Sequence, residues 1–111
     1  MVKLLQITFR NPQASSEAAQ QAAWERAHSI AAWPGLVWKI WIATPADAIY
    51  GGIYLFEDEH SANAYLNSPI ADSIRAIPGI SDFEAQLFDI NNPLTAVTRG
   101  PLTSMQTEPR D

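Results

Sequence analysis

The stretch from Pro34 to Phe56 constrains this chain more than any other. Its first half, Leu36-Val37-Trp38-Lys39-Ile40-Trp41-Ile42-Ala43, and its second, Tyr50-Gly51-Gly52-Ile53-Tyr54-Leu55-Phe56, are rich in β-branched and aromatic residues. That composition suits a pleated, half-buried surface. Thr44-Pro45-Ala46-Asp47-Ala48 supplies the Pro and Asp of a connecting loop. The pattern predicts two antiparallel strands joined by a hairpin loop of about five residues. Lys39 is the only charge from Leu36 to Phe56 apart from Asp47 in the loop. A sheet wet on one side alternates apolar with polar residues. These strands do not, so both faces need cover, one from helices and the other from a second subunit.

The flanking segments supply the remaining elements. Leu4 to Phe9 alternates, with Leu5, Ile7 and Phe9 on one side, and reads as a first strand that Asn11-Pro12-Gln13 breaks. Ser15 or Ser16 caps a helix reaching about Ala32, with Glu17 in its first turn. Ala19, Ala22, Ala23, Ala27 and Ile30 form a narrow stripe at helical spacing, small enough to let the helix sit close to a sheet. Pro34-Gly35 stops it. Asp58 opens a second helix, roughly Glu59 to Asn67, with Ala62, Tyr65 and Leu66 facing inward. Ser68-Pro69 has the cap-then-proline form of a further short helix carrying Ile70, Ile74 and Ile77, and Pro78-Gly79 ends it. Asp82 to Ile90 is a fourth strand, in which Phe83, Ala85 and Leu87 alternate with Glu84, Gln86 and Phe88.

The order β-α-β-β-α-β predicts an α+β, ferredoxin-like fold: a four-stranded antiparallel sheet with helices on one face. The bare face calls for a self-complementary two-fold contact, hiding roughly 800 Å² per partner in an ordinary homodimer. A folded domain over residues 1–96 is expected. After Asn91-Asn92-Pro93 the pattern weakens, and 97–111 reads as an extended arm and flexible tail.

Composition narrows the function classes. With 111 residues, 47% hydrophobic and 17% charged, the chain suits one globular domain. The net charge of −5 and the scattering of seven basic residues argue against nucleic acid, whose phosphates are met by clustered Lys and Arg. The absence of cysteine excludes disulfides, thiolate catalysis and Cys-ligated metals. Two histidines without a nearby carboxylate triad give no convincing metal site. No glycine-rich strand–turn–helix motif offers a phosphate cradle, so no flavin or nicotinamide cofactor is expected. The N-terminus lacks a signal-peptide pattern and no apolar run has membrane-spanning length, so a cytoplasmic protein with no membrane partner is expected.

Several segments together carry a resemblance: Leu4-Leu5-Gln6, Pro34-Gly35-Leu36-Val37-Trp38-Lys39-Ile40-Trp41, Gly51-Gly52-Ile53-Tyr54-Leu55-Phe56-Glu57-Asp58-Glu59, Ala64-Tyr65-Leu66 and Phe88-Asp89-Ile90-Asn91-Asn92-Pro93-Leu94. The chain resembles the bacterial YdhR-type monooxygenases, within the dimeric α+β barrel superfamily, over most of residues 4–94. The resemblance implies a ferredoxin-like homodimer and a monooxygenase role in aromatic compound metabolism. Antibiotic-biosynthesis-type monooxygenases of the same superfamily often carry a Glu and a Trp on the third strand and a His in the following helix. Tyr54 and Phe56 stand where that Glu and Trp would be, and Tyr65 where the His would be. Ser68-Pro69-Ile70-Ala71 replaces a His-Thr-Ala-Arg run found in YdhR-type sequences.

Oxygenation without a cofactor needs an electron-rich substrate that can be deprotonated, a proton acceptor, and hydrogen bonds to the developing anion. His28, flanked by Trp24 on one helix face, is the leading acceptor; the plainer reading is a surface histidine. Tyr65 is the second catalytic candidate. Trp24, Trp38, Tyr54, Phe56 and Asn63 are candidates for binding a small-molecule substrate, against the plainer reading of core packing and solvated surface. Trp38 and Trp41 lie on opposite strand faces, so at most one views a pocket. Lys39 snorkels, pairs across an interface, or meets a substrate anion. The expected reaction is monooxygenation of a small phenol or hydroquinone in a pocket between sheet and helices. The alternatives are an isomerase or lyase acting on a small ring or lactone compound, and a non-catalytic binding module.

Overall fold

The structure of the protein is a computed structural model that describes residues 1–103. Its elements are β1 (Lys3–Arg10), α1 (Glu17–Ala31), β2 (Leu36–Thr44), β3 (Ile49–Phe56), α2 (Glu59–Leu66), α3 (Pro69–Arg75), β4 (Ser81–Asp89) and α4 (Asn92–Val97), with a 3-10 turn at Pro45–Asp47 inside the hairpin. The strands form one antiparallel sheet in the order β2-β3-β1-β4. This is the ferredoxin-like arrangement that the element order predicts.

The helices begin where polar caps precede them. Ser16 Oγ accepts from the Ala19 amide, the Asp58 carboxylate from Ser61 and Ser68 Oγ from Ala71, each satisfying an amide that the first turn leaves without a partner. The same device at Asn91, which accepts from the Leu94 amide with Pro93 in the first turn, starts α4. That helix lies where the apolar pattern fades, just ahead of the stretch read as an extended arm, and no helix was expected there. At six residues it is too short to display a period, and the cap with its proline was the only signal.

One face of the sheet carries the core. Leu5, Ile7, Tyr54 and Phe56 pack with Ile30 of α1 and Ala62 and Tyr65 of α2. Phe83 and Leu87 of β4 lie against the same cluster, as their alternation predicts. The hairpin departs from simple alternation. A bulge between Leu36 and Trp38 sets Leu36 opposite Phe56 and Lys39 opposite Tyr54, so Val37 is the extra residue. Leu36 therefore joins Lys39 and Trp41 on the helix side, the position that strict alternation gave to Val37.

The outer face holds Trp38, Ile40, Ile53, Leu55 and Phe88. After α4 the chain turns at Gly100, whose amide donates to the Thr95 carbonyl, and the Pro101 carbonyl then accepts from Trp38 Nε1 at 2.9 Å. The segment around Pro101 is thereby tied to the outer face beside Leu55, which is fully buried. The remainder of the expected tail, 104–111, lies outside the described residues.

Candidate functional site

A cavity of about 510 Å³ lies between the N-terminal half of α1, the β2–β3 side of the sheet and the end of α3. Ile7, Phe9, Lys39, Trp41, Tyr50 and Tyr54 form its floor. Ala19, Ala22, Ala23 and Arg26 of α1 roof it, and Ile74, Ile77 and Pro78 close one side. Asn11, Gln13 and Gln20 give it a polar margin. The volume falls within the range of small-molecule sites.

The cavity exists because the alanine stripe does not close on the sheet. The C-terminal end of α1 is anchored: Ile30 is the helix's only buried residue, and Trp33 just beyond meets Tyr65 edge-on at 5.8 Å. The N-terminal half is carried outward over the sheet, and side chains that end at Cβ do not span the gap. Close packing was expected there, and space is found instead.

Lys39 is the most perturbed cation of the site. Its Nζ sits 3.4 Å from the Trp41 ring centre and 4.5 Å from that of Tyr54. Gly52 makes room for this posture: a Cβ at 52 would lie 2.3 Å from Lys39 Cε. Burial, together with the charge of Arg26, brings the Lys39 ammonium down to about 7. Stacking on two rings favours the charged form by only about 1–2 kcal/mol, too little to offset the water it has lost. Among the described residues, no carboxylate lines the cavity.

Behind the floor, Tyr54 and Tyr65 share a hydrogen bond of 2.9 Å between their hydroxyls, and the Phe56 ring stacks on Tyr54 at 5.8 Å. Burial pushes the Tyr54 phenol far above its ordinary range and raises that of Tyr65. Both therefore stay protonated and serve as hydrogen-bonding groups, not as proton acceptors.

Of the residues singled out from sequence, Tyr54 lines the cavity, and Phe56 and Tyr65 support it from the core without reaching the space. The others are elsewhere. His28 and Trp24 form an exposed pair, ring centres 6.4 Å apart, on a face of α1 turned from the cavity, and Trp24 is 68% exposed. Asn63 is exposed on α2. Trp38 faces the other side of the sheet, bound to Pro101. Pairing His28 with Trp24 on one helical face was right; that face is the outer one. Arg26 was missed although it falls on the alanine stripe, three residues after Ala23 and four before Ile30. A charge inside an otherwise inward stripe was the available signal.

A ferredoxin-like sheet with a ligand-sized cavity beneath its first helix defines a small α+β domain with a candidate small-molecule site. The family described as "Putative mono-oxygenase ydhR" matches residues 4–101, and the chain belongs to that family. No curated protein matches it. Among solved structures it is similar to SnoaB, a cofactor-independent oxygenase from Streptomyces nogalater, at 19% identity and a TM-score of 0.61, covering 81% of this chain and 93% of that one. It is also similar to NE2512, a protein of unknown function from Nitrosomonas europaea, at 22% identity and a TM-score of 0.62, covering 82% of this chain and 91% of that one. At these identities the likeness is one of fold.

Proposed function

We propose that the protein is a monooxygenase acting on a small electron-rich aromatic compound, a phenol or hydroquinone, with the substrate itself as reductant. The observation that carries this reading is the cavity of about 510 Å³, floored by the rings of Phe9, Trp41, Tyr50 and Tyr54. Ring walls favour a planar aromatic guest through offset and edge contacts. The family's mono-oxygenase description supports the reaction class, and the fold shared with a cofactor-independent oxygenase supports the source of electrons.

The chemistry balances without an external reductant. A phenol and dioxygen give a para-quinone and water: one oxygen atom replaces the ring hydrogen, and the other leaves as water with the two hydrogens. The protein's task is to hold the ring, exclude bulk water and help the hydroxyl lose its proton. The test is oxygen uptake with 1-naphthol under labelled dioxygen. One labelled atom in the naphthoquinone product is expected. A ligand-induced thermal shift with no oxygen consumed would overturn the reading in favour of a binding module.

We also propose that a second copy of the chain covers the outer face of the sheet. Ile40 there is 53% exposed and Phe88 38% exposed.

A further inference from the structure

We infer that Lys39 is the proton acceptor of this site and that Arg26 holds the resulting anion, so that the substrate is an acidic hydroxyarene bound as its phenolate. The inference rests on the aromatic reading above and adds to it a residue for the proton and a charge for the guest.

The geometry supports it in three ways. Lys39 opens onto the cavity from β2 and Arg26 lines it from α1. No acidic side chain among the described residues of the lining answers the Arg26 guanidinium or the ammonium that Lys39 becomes on taking a proton. An anionic guest is the complement that such a cavity lacks. Second, Lys39 is held in place. Gly52 leaves the notch through which its chain crosses β3, and the Trp41 and Tyr54 rings fix the amine between them. Third, among the described residues of the lining it is the one group free to take a proton. The titratable groups sharing the cavity with it are Arg26 from α1 and the phenols of Tyr50 and Tyr54 from β3; the α3 side offers Ile74, Ile77 and Pro78. A guanidinium and a phenol kept protonated by burial accept no proton. The amine, near 7, is substantially neutral at working pH.

The step is a simple transfer. The substrate O–H bond breaks, a new N–H bond forms at Lys39 Nζ, and the electron pair stays on the phenolic oxygen between ammonium and guanidinium. Dioxygen, the oxidant of the proposed reaction, then meets an electron-rich phenolate.

The experiment uses 4-nitrophenol, whose neutral and ionised forms differ in colour. Titrated into the full-length protein, it is expected to bind as the phenolate, with its apparent pKa lowered by about one unit or more. Lys39→Met should bind the phenolate about tenfold more weakly or worse. Gly52→Ala, whose Cβ displaces the far end of the lysine chain and lies 3.3 Å from the Ile40 carbonyl oxygen, should move the spectrum in the same direction in a fold that circular dichroism shows intact. A neutral-phenol spectrum in the native protein, or variants indistinguishable from it, overturns the inference, and oxygen uptake with 1-naphthol would then leave the monooxygenase reading standing. No binding of either phenol to the native protein removes the aromatic substrate itself, and both readings with it.

Discussion

Burying Lys39 places a cost on the fold, which the proton-accepting role proposed above would explain. Its ammonium falls from the usual 10.5 to about 7 in the folded chain, chiefly through burial and then through Arg26. The folded state therefore binds fewer protons than the unfolded chain between those two values, and this group makes stability rise with pH across that window. Below pH 7 the burial penalty is present in full. Lys39→Met should be more stable than the native protein at pH 6 by roughly 2 kcal/mol, a figure held down by the part of the side chain still in water, and the advantage should fade toward pH 10. Urea melts at several pH values measure both. The tyrosine pair responds differently. Tyr54→Phe strands the buried Tyr65 hydroxyl and should cost about 1–3 kcal/mol, while the double change Tyr54→Phe with Tyr65→Phe should cost less than the sum of the singles. A double-mutant cycle in denaturant tests this.

At the scale of elements, two adjacent glycines do different work. A Cβ at 51 would lie 1.9 Å from the Ile7 carbonyl oxygen, so Gly51→Ala must push β1 and β3 apart and should lower the melting temperature by several degrees or prevent folding. Gly52→Ala meets chiefly the flexible lysine chain, with the Ile40 carbonyl oxygen 3.3 Å away, and should lower the melting temperature much less than Gly51→Ala. Two glycines inside a strand signal close backbone approach or a bulge, but not which of them serves the sheet and which makes room for Lys39. Helix α1 poses the same problem. Its caps and its stripe were legible because they are local. Whether small side chains let a helix settle or leave a void depends on where its far end is pinned, here by Ile30 and Trp33. Ala23→Leu should fill part of the cavity, keep or raise stability, and reduce oxygen uptake about tenfold or more. Thermal melts beside oxygen-electrode traces separate the two effects.

For the whole molecule, the unequal faces of the sheet make the prediction. Helices cover one face except at the pocket, where Trp41 is 47% exposed, and the other leaves Ile40 and Phe88 exposed. Sedimentation at micromolar concentration should give a dimer, and Ile40→Glu should shift it toward monomer, because a self-complementary contact places the new charge in the interface twice. Alternation in β1 and β4, caps at Ser16, Asp58 and Ser68, and breakers at Pro34 and Gly79 specified the α+β order, since each is a contact between near neighbours in the chain. Only the tertiary structure decided the site. It turned Trp24 and His28 outward, slipped Leu36 past Val37 with a bulge, and brought Arg26 and Lys39 to one space, because the distance between a helix and a sheet is set by side chains far apart in sequence.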